Sequence, residues 1–576
     1  MKSRLIINKT EVVAENGIVA AMHPLAAEAG LEILQEGGNA ADAAVTAAFA
    51  SGVVEPFMSG LGGAAYIMYH DAAGGHTLTF DGCVVCPRAA REEMFELLDP
   101  SESGSSLYGW RATKDDAAET GYRSVLVPGA VAAYCSFLEK CGSMPLSRVM
   151  EPAVRLAEEG FEIDWYVFAN CASSLARLKT FPETMAIFFR PDGTPWCTAN
   201  HDDNHPPDCL VQADLARTMR MIMEQGPDVF YRGEVAKAIV EHLSANGGIL
   251  TQQDLAEYQV RIREPMCVNY RGYRVEMISE NSGGPTVGQA LNILEGFDLR
   301  ASDHNMARSL HLIAEATRLA FADRFSHLGD PAFAPIPLEG LLSKEYAVRC
   351  REKIRLDRGP VPEPVGDPWP CQPDGKPAGM LLANGGDCAK QHTTHMTVVD
   401  SKRNMVSLTA SVGQRFGSGV VIPDTGICMN NGMMWFDPEP GKINSIVPGK
   451  HALHAGTPAF VFDEQGPLLA LGAPGGRKVL TAVMQVMLNV LDFEMGIQSA
   501  ISAPRIHCET GPLQLDRRLP AETIEGLRSL GHAIELREEH YLSSYFGRPN
   551  GILIDRDEGV LRGGVEPFRV SMAVGY

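Results

Sequence analysis

Gln391-His392-Thr393-Thr394-His395-Met396-Thr397-Val398-Val399-Asp400 is the stretch on which the fold turns. Beyond Thr393, residues His395, Thr397 and Val399 alternate with Met396 and Val398, the period-two pattern of a half-buried strand. Asp400-Ser401-Lys402-Arg403-Asn404 reads as a polar turn, after which Met405 to Ser411 resumes the strand. A hairpin symmetric about Lys402 pairs Val399 with Met405, Thr397 with Ser407 and Thr393 with Ser411, setting one hydroxyl beside another. A threonine at a new chain terminus carries its own base, because the freed α-amine lies beside its hydroxyl and titrates near neutrality. Thr393 is therefore a candidate N-terminal nucleophile, on the condition that the chain is cut before it.

A second element complements the first. Leu468-Leu469-Ala470-Leu471-Gly472 reads as a strand, Ala473-Pro474-Gly475-Gly476 as a turn, and Val479, Leu480, Val483 and Met484 mark the helix that follows. Paired glycines at a helix start let backbone N–H groups approach a ligand closely, with the helix dipole behind them. Such a turn can receive the oxyanion of acyl transfer.

Upstream, the periodicity predicts helices over 24–35 and, alanine-rich, from Asn39 to about Val53. The cluster Met58-Ser59-Gly60-Leu61-Gly62-Gly63 then precedes a strand over 64–69. A phosphate loop follows a strand and opens a helix; this one does the reverse, which excludes the nucleotide reading. Amphipathic helices are expected over 146–159, 214–224, 233–246, 286–295 and 309–324, the last with Leu312, Ile313, Ala316, Leu319 and Ala320 on one stripe. Between Leu356 and Gln391 the chain turns rich in proline and glycine, the form of an irregular junction suited to cleavage.

Hydrophobic residues at 45% and charged residues at 21% describe an ordinary globular chain, and 576 residues leave room for a large core. A formal net charge of -21 argues against nucleic acid and anionic membrane as partners. The 13 cysteines are odd in number, and the N-terminal residues lack the apolar core of a signal peptide, so free thiols and a cytoplasmic location are expected. Cys83-Val84-Val85-Cys86 is a CxxC pair without a second half, and His392 and His395 lack a third ligand, so neither a metal nor a cofactor is expected.

Taken together, the ordered set of motifs resembles the γ-glutamyltransferase (gamma-glutamyltranspeptidase-like) family of N-terminal nucleophile hydrolases. The set comprises Gly37-Gly38-Asn39-Ala40-Ala41-Asp42, Ser59-Gly60-Leu61-Gly62-Gly63, Val127-Pro128-Gly129, Tyr270-Arg271-Gly272-Tyr273, Ser282-Gly283-Gly284 and Ala322-Asp323-Arg324. Leu328-Gly329-Asp330-Pro331, Thr393-Thr394-His395, Asn430-Asn431, Pro474-Gly475-Gly476 and Gly575-Tyr576 complete it. The resemblance implies an α+β fold, a four-layer αββα sandwich formed as one domain by a large subunit, 1–392, and a small subunit, 393–576. It implies self-cleavage before Thr393, a heterodimer of the two chains that can pair again into a dimer of heterodimers, and a small-molecule substrate. Thr393 becomes the nucleophile, Ser411 stands where a family threonine supports it, and Gly475 and Gly476 match the oxyanion-hole glycines.

The substrate-binding positions depart from that pattern. The family arginine that holds a γ-glutamyl α-carboxylate aligns with Cys83, and its Ser-Ser pair aligns with His454 and Ala455. The positions that hold the α-amino group read Gly413, Gly432 and Trp435. Losing charge-matched partners for both ends of the substrate costs several kcal/mol of binding. The segment from Phe436 to His454 is shorter than in lidded members, which predicts an open mouth with Met433, Met434 and Trp435 as an apolar wall. His454, Arg415, Lys442 and Arg477 remain as groups that can grip an anion. The reading is a self-processed amidohydrolase acting on a non-glutamyl acyl compound. A carbon–carbon hydrolase on the same fold and an unprocessed ligand-binding protein stand as alternatives.

Overall fold

The computed structural model describes residues 7–99, 106, 108–198, 206–362, 364–375, 392–541 and 543–576. Its centre is two seven-stranded sheets. The first runs, edge to edge, Val12–Ala14, Val560–Val565, Asn550–Asp555, Gly466–Gly472, Ala459–Asp463, Tyr273–Met277 and Met266–Tyr270. The second runs Met572–Gly575, Ile18–Ala21, His392–Val399, Met405–Gly413, Ala64–Asp71, His76–Gly82 and Arg261–Arg263. His392–Val399 and Met405–Gly413 pack face to face on Gly466–Gly472. Helices Pro24–Gln35 and Ala40–Val54 cover the second sheet, while Gly284–Leu294 and Lys478–Leu491 cover the first. The layers are α, β, β, α.

Local chemistry sets the helix starts. Pro24 occupies the first turn of Pro24–Gln35, where its missing N–H costs nothing, and His23 Nδ1 caps the Leu25 N–H. Asn39 and Asp42 form a reciprocal capping box at the start of Ala40–Val54. All 15 residues of that helix are buried, because it lies between the second sheet and the helix Leu146–Glu159. Its alanines are what let three layers close on it.

Three expectations need correction. The strand His392–Val399 is not half-buried: every residue but Thr393 is buried, because one face meets the first sheet and the other meets Ala40–Val54. The helix predicted over 309–324 is Ala307–His327, and it is buried on all sides instead of along one stripe. Its polar residues are paired inside the protein. Asp323 accepts from Gln289, Tyr346 and the Gly366 N–H, and Arg324 donates to the carbonyls of Ser282 and His454. The helix predicted over 286–295, Gly284–Leu294, is likewise wholly buried.

Of the proline-rich segment, the described part is irregular but anchored: Trp369 is 3% exposed, and the Val361 N–H donates to Glu315. The remainder of the expected cleavage junction, 376–391, lies outside the described residues. Among the described residues, no helix is long and apolar enough to cross a membrane, and the cysteines form no disulfide.

Candidate active site

The hairpin holds the expected register from Val399↔Met405 through Thr394↔Ala410, then shifts by one residue so that His392 faces Gly413. That irregularity falls at Thr393. Thr393 Oγ1 donates to Ser411 Oγ at 3.3 Å, and Ser411 Oγ donates to the carbonyl oxygen of His392 at 2.9 Å. The Gly413 N–H donates to the same hydroxyl at 3.0 Å, fixing it in place. Ser411 therefore bridges the candidate nucleophile and the carbonyl of the peptide bond that precedes it. Gly63 makes this approach possible, since a Cβ there would lie 2.5 Å from the Ser411 carbonyl oxygen.

Around this pair the polar groups are buried and locked. His395 is fully buried, and its ring nitrogens meet Thr409 Oγ1 at 2.8 Å and Thr397 Oγ1 at 3.2 Å. Desolvation pushes its pKa down to about 3, so it is a neutral structural histidine. Thr394 Oγ1 donates at 2.9 Å to Glu55, whose carboxyl is pushed up to about 7, mainly by burial.

The strand Gly466–Gly472 crosses the same face: Ser407 Oγ donates to the Leu471 carbonyl at 2.8 Å, and a Cβ on Gly472 would fall 2.2 Å from His395 Cε1. The turn that follows leads into the helix Lys478–Leu491. Gly475 (φ 133°) and Gly476 (φ 62°) both adopt positive φ, which a side chain would strain. Among the described residues, neither glycine N–H donates to a protein acceptor.

Strand pairing brings the distant substrate-side residues onto this face. The row His395, Thr409, Tyr66, Asp81 runs in register across four strands. Toward the nucleophile, Ser411 pairs with Ala64 on the neighbouring strand, and Thr393 reaches Ser411 through the hydroxyl contact, while Cys83 follows directly on the end of the strand that carries Asp81. His454 stacks on Tyr66 with ring centroids 3.7 Å apart and planes at 11°. Cys83 Sγ lies 3.7 Å from both the Tyr66 hydroxyl and the Ala452 carbonyl, and burial holds its thiol well above the ordinary range. Ala455 and Trp435, at 8% and 5% exposure, join the same apolar cluster.

Other predicted residues have different surroundings. A Cβ at Gly413 would strike Asn431 Oδ1 at 2.0 Å, and one at Gly432 would lie 2.6 Å from Val84 Cγ2, so neither glycine lines open space. Met433 and Met434 are packed in the core and do not form an exposed wall, because the short turn Gly432–Trp435 folds them inward. Arg477 is fully buried, paired with Glu509 and lying over the rings of Tyr108 and Phe325. Lys442 lies near Glu439, and Arg415 donates to Ser173.

Comparison with known proteins agrees with this geometry. Residues 26–576 match the family described as gamma-glutamyltranspeptidase. The chain belongs to the gamma-glutamyltranspeptidase family.

Among its relatives, the acylase ACY 1 proenzyme of Pseudomonas sp. (strain SE83) is 36% identical over 531 residues, 91% of this chain and 88% of that protein. The glutathione hydrolase proenzyme of Bacillus subtilis (strain 168) is 33% identical over 566 residues, covering 98% and 92%. The crystal structure of cephalosporin acylase from Bacillus halodurans superposes with a TM-score of 0.85 at 30% identity, covering 100% of this chain and 98% of that one.

Among the described residues of this gamma-glutamyltranspeptidase fold, two clusters have the composition of a metal site; at this site Asp81, Cys83 and His454 present ligand atoms within 4.8 Å of one another, and the other is His311, Glu315 and His532. The hydrogen bonding argues against a metal there. His454 Nδ1 accepts the Gly456 N–H at 3.1 Å, which puts the imidazole proton on Nε2 and removes the lone pair a cation needs. Glu55, Tyr66 and Asp81 are the site residues that sequence reasoning missed. Asp81 sits only two positions before Cys83, yet its relation to His454 arises from strands and loops far apart in sequence.

Proposed function

We propose that the protein is a self-processing N-terminal threonine amidohydrolase that removes a small acyl group other than γ-glutamyl from an amide. The observation that carries this reading is the Ser411 hydroxyl, held between Thr393 Oγ1 and the His392 carbonyl oxygen. In processing, Thr393 Oγ1 attacks the His392 carbonyl carbon while Ser411 donates to the oxygen that turns negative. The bond to the Thr393 nitrogen breaks, that nitrogen takes up a proton, and water hydrolyses the resulting ester. The products are a large chain, 1–392, ending in a carboxylate, and a small chain, 393–576, beginning with the Thr393 amine.

In turnover that amine takes the hydroxyl proton as Thr393 attacks the substrate carbonyl. The Gly475 and Gly476 N–H groups, which donate to no acceptor among the described residues, receive the oxyanion. The amine leaves with a proton, and water then releases the acid. The relatives named acylase proenzymes support an acyl amide as substrate. The absence of a cation at Cys83 speaks against glutathione. A processed heterodimer in the cytoplasm completes the proposal, with a dimer of heterodimers as its further assembly.

The test is intact mass of the wild type beside Thr393→Ala, followed by turnover of alkanoyl and γ-glutamyl anilides. Cleavage after His392 in the wild type alone, with the alkanoyl anilides preferred, is the expected result. An uncut wild type, or preference for the γ-glutamyl anilide, overturns the reading.

A further inference from the structure

His454 is 1% exposed, and its Nε2 has no hydrogen-bond partner among the described residues. Because Nδ1 accepts from Gly456, that orphaned Nε2 carries a hydrogen and is a donor. Burying a donor without an acceptor is unfavourable, so the arrangement calls for an occupant that accepts. Asp81 Oδ1 lies 4.0 Å away, too far for a direct bond. Two hydrogen bonds of roughly 2.8 Å meeting at one tetrahedral oxygen span about 4.5 Å, close to the observed gap. A single oxygen that both accepts and donates therefore fits between His454 and Asp81.

The position is set by the sheet. Asp81 ends the row that begins at His395, and His395 lies two residues along the same strand from Thr393. Three strand spacings separate the row ends, about 14 Å between backbones. This is the scale of an acyl chain running from the nucleophile across the sheet.

The surrounding charges define what the oxygen belongs to. Arg261 is committed to Asp330 through two bonds, Arg263 pairs with Glu280, and Arg324 is taken up by two carbonyls. Neither Arg261 nor Arg263 is left to neutralise a second carboxylate beside Asp81.

We propose that His454 and Asp81 form a donor–acceptor pair that binds a hydroxyl group at the far end of the substrate's acyl chain. The inference rests on the amidohydrolase reading for the orientation of the acyl chain. The hydroxyl oxygen accepts from His454 Nε2–H and donates to Asp81, displacing water from the same position. A methyl group leaves both partners unsatisfied, and a carboxylate meets the Asp81 charge. Both residues determine specificity; neither touches the reacting atoms.

The test is calorimetric binding of three acids to the self-cleaved enzyme: an ω-hydroxyalkanoate, the alkanoate with methyl in place of hydroxyl, and the dicarboxylate, in matched chain lengths of about four to eight carbons. The hydroxy acid is expected to bind at least about tenfold tighter than either companion at one chain length. His454→Phe, which keeps a ring to stack on Tyr66, and Asp81→Ala should each remove that preference. Their fraction of self-cleaved chain reports whether they fold. If a variant fails to fold, the three acids on the wild type still decide.

Equal binding of the hydroxy and methyl acids at every length, a preference for the dicarboxylate, or a preference surviving in both folded variants overturns the inference. Those outcomes leave the amidohydrolase reading intact where the wild type cuts itself and hydrolyses anilides. An uncut wild type instead removes that reading at its root.

Discussion

Ser411 serves two oxygens at once, and its replacement separates their effects. Ser411→Ala removes the donor to the His392 carbonyl and the acceptor for Thr393 Oγ1. Self-cleavage should slow by about 100-fold or more, as when one oxyanion donor is lost, while Ser411→Thr keeps the hydroxyl and most of the rate. A time course of chain cleavage on denaturing gels measures both. Glu55 gives a pH prediction at the same scale. Burial lifts its carboxyl from 4.5 to about 7, so between those values the folded chain holds a proton that the unfolded chain has lost. The stability this contributes is present below the unfolded value and is lost as pH rises through about 7, on the order of 3 kcal/mol in all. Glu55→Gln cannot ionise and still accepts from Thr394. Its Tm relative to wild type should therefore improve steadily as pH is raised from about 5 to about 8. A constant difference across that range would refute the assignment.

The strands depend on close backbone approaches that glycine permits. Gly62 and Gly63, which as a sequence cluster suggested a phosphate loop, face the Cys428 and Ser411 carbonyl oxygens at Cβ distances of 2.4 and 2.5 Å. These contacts are backbone against backbone, so no side chain can swing aside. Gly63→Ala should cost about 1–3 kcal/mol of stability and slow self-cleavage, because the strand that must move carries Ser411. Thermal unfolding and the cleavage time course check the two effects together. Gly37, with φ 94° and open space around its Cβ position, tests the alternative case: an alanine there strains the backbone without displacing Ser411. Cleavage kinetics should stay unchanged in that variant.

Across the molecule, the proposed cut divides the chain but not the fold. In the first sheet, Val12–Ala14, Tyr273–Met277 and Met266–Tyr270 come before the cut, and the four strands between them come after it. In the second sheet, Ile18–Ala21 lies between Met572–Gly575 and His392–Val399, so the two parts alternate. Separation would break hydrogen-bond ladders in both sheets and expose the shared core. The two fragments should therefore elute together on size exclusion in native buffer and part only in denaturant. Elution as two species without denaturant would contradict that interleaving.

The sequence by itself determined the hairpin, its register as far as Thr394, and the helices, because these follow from local periodicity. Val399 opposite Met405, the helix over 24–35 and the alanine-rich helix that starts at Asn39 are examples. It also carried the family, through motifs spread along the chain. Burial on both faces of His392–Val399 was beyond it, since alternation tells which residues share a face but not whether a second layer covers the other. The helix Ala307–His327 read as amphipathic for a related reason: a buried polar residue looks like a surface one until its partner, 192 residues away for Arg318, is known. The pairing of His454 with Asp81 across Tyr66 belongs to the same class. Only the tertiary structure decided it, because strand order, a non-local property, sets which rows of side chains meet.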